Sequence, residues 1–72
     1  MEEQKSIVPI KNLKMTFELG AYYKVCNDDS YEIFRFISND PPRVYVVGKG
    51  ETTLPQVLFG FLYVEFLGHS LE

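Results

Sequence analysis

The sequence predicts an all-β domain, a small barrel of five short antiparallel strands, and three observations carry that prediction. Apolar and polar side chains alternate with the period of a half-buried strand over several short stretches. Clusters of turn-forming residues separate those stretches at 27–30, 39–42 and 48–50. Aromatic and β-branched residues dominate the segments between, and short strands at regular spacing are the signature of a sandwich or barrel.

The elements follow in order. Residues 1–6 are polar and read as a disordered tail. Ile7-Val8-Pro9-Ile10 is apolar, and Pro9 confines it to a sheet edge or an extended lead-in. Leu13, Met15 and Phe17 alternate with Lys14, Thr16 and Glu18, which predicts a strand ended by Gly20. Ala21 to Cys26 predicts a second strand, with Ala21, Tyr23 and Val25 on one face and Tyr22, Lys24 and Cys26 on the other. Asn27-Asp28-Asp29-Ser30 suits a hairpin loop.

Tyr31 to Ser38 is the third predicted strand. Both of its faces, Tyr31/Ile33/Arg35/Ile37 and Glu32/Phe34/Phe36/Ser38, are largely apolar, which places it centrally with cover on more than one side. Asn39-Asp40-Pro41-Pro42 breaks the chain, since proline removes a donor and fixes φ. Arg43 to Val47 predicts a fourth strand, and Gly48-Lys49-Gly50 a tight turn. The last segment reads two ways. Leu54, Val57, Leu58, Phe61 and Leu62 fit a helical stripe, with Thr53 as cap, Pro55 in the first turn and Gly68 as stop. The β-branched and aromatic content of 57–67 favours a strand instead, bent at Gly60.

Residues 7–68 are thus expected to form one β domain, with an architecture of the SH3-like type, and the alternative is an antiparallel sheet with a C-terminal helix. Residues 69–72 are expected to be a tail, in which Leu71-Glu72 reads as the scar of a purification tag. At 72 residues there is room for one core, and a core that small depends on dense packing. Six Phe and five Tyr supply it. Cys26 is the only cysteine, which excludes an intrachain disulfide and a thiolate-rich zinc site. A lone cysteine, a polar beginning and no apolar run approaching the roughly 20 residues of a membrane span predict a soluble, cytoplasmic protein.

The catalytic inventory is thin. His69 stands near the end of the chain and reads as a solvated residue, since a general base must be held by a second group. Cys26 has no feature nearby that would activate its thiol. Asp28, Asp29 and Glu32 lack the ordered spacing of a calcium loop and read as a solvated turn. Val47 to Thr53 lacks the glycine spacing of a phosphate loop. No enzyme activity, cofactor or metal is therefore expected.

Net charge is −3, yet residues 5–49 carry +2 from seven basic and five acidic side chains. The expected function is a non-enzymatic protein-interaction module, of the kind found among bacterial or phage accessory proteins. The alternative is a nucleic-acid-binding small barrel using Tyr22, Lys24, Arg35, Arg43, Tyr45 and Lys49, where aromatics would stack on bases and cations meet phosphates. Convergence of these six on one face is the discriminating observation. A closed barrel leaves no strand edge, so a monomer is expected over a homodimer paired through the C-terminal strand.

Overall fold

Three consecutive hairpins organise the chain, and two further strands, from before and after them in sequence, pair on the far side of the first hairpin. The computed structural model describes residues 7–13 and 16–71, with Asn12 described for its backbone alone. Strands β1 (Ile7–Pro9), β2 (Tyr22–Cys26), β3 (Tyr31–Asn39), β4 (Pro42–Val46), β5 (Gly50–Thr53) and β6 (Tyr63–Gly68) form one antiparallel sheet. A single 3-10 turn (Ile10–Asn12) follows β1, and a short helix α1 (Leu54–Leu58) precedes β6.

The sheet order is β1-β6-β2-β3-β4-β5. The chain therefore meanders from β2 to β5, crosses back by way of α1, and inserts β6 between β1 and β2. The sheet is open: β1 and β5 are its edges, and no ladder joins them among the described residues. This corrects the closed five-stranded barrel. Among the described residues there are six strands rather than five, because Ile7–Pro9 and Gly50–Thr53 each add one while Leu13 and 16–18 contribute none. The open edges are short, and Pro9 lies on one of them, where its missing N–H costs the ladder least.

The expected strand over 13–18 is also corrected, Lys14 and Met15 lying outside the described residues. Leu13 and 16–18 join no ladder. The reason is topological: β2 has β3 on one side and β6 on the other, so no edge is left for an upstream strand. Residues 16–18 instead run as a strap, from which Phe17 packs against the core, as Leu13 does before the strap begins.

Residues 54–67 divide between the two readings. Thr53 caps α1, its Oγ1 accepting from the Gln56 amide at 3.3 Å, and Pro55 occupies the first turn. The helix then ends in a turn at Gly60, whose φ of 90° suits a residue without a Cβ, and the chain resumes as β6. Gly60 thus separates a helix from a strand rather than bending one strand.

One face of the sheet forms the core. Ala21, Tyr23, Val25, Phe34, Phe36, Val44, Val46 and Val64 point from it, Val57 of α1 closes over them, and Phe17 and Phe66 pack alongside. Aromatic rings dominate the centre: Phe17 lies 4.7 Å from Tyr23, and Tyr23 stacks 5.6 Å from Phe34. The hairpin loop ties into this cover. Asn27 Oδ1 accepts from the Asp29 and Ser30 amides, both at 2.9 Å, and its Nδ2 donates to the Gly60 carbonyl at 3.0 Å.

Tyr23 is buried with its hydroxyl accepting from the Glu18 amide at 2.8 Å. Burial holds the phenol above its ordinary value of 10.0; the Glu18 amide offsets this in part, and the Glu18 carboxylate adds to it. The unfolded chain then releases this proton before the folded one does. The resulting stability is present below about pH 10 and is lost as pH rises through the folded value. In urea titrations, the wild-type midpoint should fall more steeply with alkalinity above about pH 9 than that of Tyr23→Phe. Parallel curves would show that the phenol contributes nothing to the pH dependence.

Candidate functional site

Among the described residues, no helix or strap lies across the opposite face of the sheet. Strand alternation puts Tyr22 and Lys24 of β2, Ile33, Arg35 and Ile37 of β3, and Arg43 and Tyr45 of β4 on this side. Register then aligns three of them. Tyr22 stands opposite Arg35, and Arg35 opposite Tyr45, so an arginine lies between two tyrosines in one row across the three central strands. Lys24 stands opposite Ile33 one step along.

A groove of about 530 Å³ runs over this row, lined by Tyr22, Arg35, Ile37, Tyr45, Val47 and, from beyond β6, Leu71. Ile37, Tyr45, Val47 and Leu71 are open to solvent, Tyr45 at 47% and Val47 at 45%, while Tyr22 is half-buried. The expectation that β3 is covered on both sides is therefore corrected: Phe34 and Phe36 are buried, while Tyr31 is 60% exposed on the other face.

The cations are held differently. The Arg35 guanidinium lies 5.7 Å from the Tyr22 ring centroid, and its Nε donates to the Gly20 carbonyl at 3.2 Å. Lys24 Nζ sits 5.0 Å from the centroid of Tyr31. Arg43 pairs with Glu51 at 3.5 Å. Lys49 leaves the face altogether: the turn after β4 redirects it to the helix side, where its Nζ bonds Glu32. Five of the six candidates thus share one face, and Lys49 is the exception.

Tyr31, Ile33, Ile37, Val47 and Leu71 also contribute to this face and were outside that set. Their signal was the strand period, which places Tyr31, Ile33 and Ile37 on the same side as Arg35. Their apolar character masked it, because an apolar side chain reads as core until its cover is known to be missing.

The remaining residues singled out from the sequence stand apart. His69 Nε2 lies 2.9 Å from Glu18 Oε1, at the exposed rim of the strap. Cys26 is half-buried at the end of β2. Asp28 and Asp29 lie exposed in the Asn27 hairpin, and Glu32 bonds Lys49. Among the described residues no three His, Cys, Asp or Glu side chains gather around a common point, and no helix is long and apolar enough to cross a membrane. No protein-family model matches the chain, and neither a curated protein nor a solved structure matches it significantly.

Proposed function

We propose that this chain is a non-enzymatic interaction module that takes a protein partner on its open sheet face. The observation that carries the reading is the uncovered row of Tyr22, Arg35 and Tyr45 with Ile37 and Val47 beside it. Contiguous apolar surface on a small domain marks an interaction site, and Tyr and Arg are the side chains that supply most binding energy in such sites. The protein acts as a monomer in this reading. Its short edges, one with Pro9 and the other with Glu51, discourage strand-to-strand association.

A second reading, nucleic-acid binding, is favoured by the convergence of Tyr22, Lys24, Arg35, Arg43 and Tyr45, since aromatic rings beside cations suit single-stranded bases. Against it, Arg43 is paired with Glu51 and Lys49 faces elsewhere, which leaves few cations for phosphates. A photo-crosslinking residue at position 45 separates the two in cells. A discrete protein adduct, absent when the same residue stands at position 19 and lost with Ile37→Asp, is expected. Adducts only to nucleic acid would favour the second reading, and identical adducts from both positions would refute a specific face.

A further inference from the structure

We infer that the partner presents an extended segment in which a carboxylate neighbours an aliphatic side chain, the carboxylate meeting Arg35 and the aliphatic group entering the groove between Tyr22 and Tyr45. The inference rests on the open face being the interaction surface and adds the chemistry of its occupant.

Charge is the first ground. Among the described residues, Arg43, Lys49 and His69 each lie within ion-pair distance of a carboxylate, and Arg35 does not. Its Nε is engaged by Gly20 and one face of its guanidinium by Tyr22, contacts that fix the group without neutralising it. A guanidinium so held is preorganised, and its planar fork matches a carboxylate. Low-polarity walls on both sides strengthen such a pair relative to one in open water.

Leu71 is the second ground. The chain turns after β6 at Gly68, and Leu71 comes to line the groove with Tyr22, Ile37, Tyr45 and Val47 while staying half-exposed. An aliphatic side chain on a short segment thus already sits against these walls. A partner's aliphatic group would displace it. The volume is in the range that small ligands or a few side chains fill.

Short fluorescein-labelled synthetic peptides test this: one of alternating Leu and Glu, one with Lys for each Glu, one with Ser for each Leu. Anisotropy gives affinity, and amide chemical shifts give the location. The Leu–Glu peptide should shift the amides of Tyr22, Arg35 and Tyr45 and bind about tenfold more tightly than the Leu–Lys peptide. The Ser–Glu peptide should lose most of that affinity. Arg35→Gln should bring the two charged peptides together, and Leu71→Ser should tighten the Leu–Glu peptide by removing a competitor.

Because Arg35 also anchors Gly20, amide dispersion checks the Arg35→Gln fold. Tyr45→Ser, which leaves that bond alone, should weaken the Leu–Glu peptide independently. Equal binding of the Leu–Glu and Leu–Lys peptides on this face would overturn the carboxylate preference and leave the interaction module standing. Shifts confined to another surface, or no binding by either peptide, would overturn the inference, and the crosslink at position 45 would then judge the module alone. An oligothymidylate that moves the same amides more strongly than the Leu–Glu peptide would also overturn it.

Discussion

Phe34→Ala should remove a large share of the protein's stability and lower its denaturation midpoint well below that of the parent. Phe34 is wholly buried at the middle of the central strand, with Tyr23 stacked at 5.6 Å and Phe17 at 6.2 Å. Removing the ring loses its transfer free energy and leaves a cavity that two other rings must collapse into, a cost of about 3–5 kcal/mol. A chain of this length has about 4–11 kcal/mol in total. Phe61→Ala removes a ring that is only half-buried, so its cost should be distinctly smaller. Chemical denaturation of the two variants decides it. A Phe34→Ala transition close to that of the parent would mean the aromatic cluster is not the core.

The second large effect comes from a pair of neighbours. Val44 and Tyr45 are adjacent on β4 and differ in side: Val44 is wholly buried, while Tyr45 faces the open groove. Val44→Asp would bury a carboxylate with no counter-charge among the Val and Phe side chains around it. The fold can neither hydrate nor pair that group, and the penalty exceeds most of the available stability. Tyr45→Asp places the same carboxylate in water, within the roughly 0.5 kcal/mol that most surface changes cost. The expected result is an unfolded Val44→Asp beside a folded Tyr45→Asp in far-UV circular dichroism. Two unfolded variants would mean that the second face is covered after all.

The parts of the fold legible in the sequence were those whose information is local. Strands at 22–26, 31–39 and 42–46 are joined by turns whose chemistry is written in Asn27 to Ser30 and in Asp40 to Pro42, so alternation and punctuation agreed. Residues 13–18 alternate just as well, yet their ladder position is taken by β6 from much later in the chain. No local pattern reports that. The same distance effect hid the open sheet, because closure depends on whether β1 and β5 meet. Within 54–67, one continuous apolar run encodes a helix and then a strand, and the positive φ at Gly60 is the only local mark of the change.

The site divides in the same way. Alternation assigns Tyr22, Arg35 and Tyr45 to faces, but their alignment in a row is a property of register between strands. Lys49 misled because it follows a turn at Gly48, where φ of 85° reverses the chain and breaks the parity count that began at Arg43.

The position of β6 has a consequence for how the protein is made. On the ribosome β1 is synthesised before any strand it can pair with, whereas β2 to β5 can zip together hairpin by hairpin as they emerge. One flank of β2, with Tyr23 and Val25, must wait until β6 arrives to complete it. Until then that flank is an unprotected template for another nascent chain. Strand β6 acts as a keystone: it joins β1 to the meander and ends the interval of vulnerability.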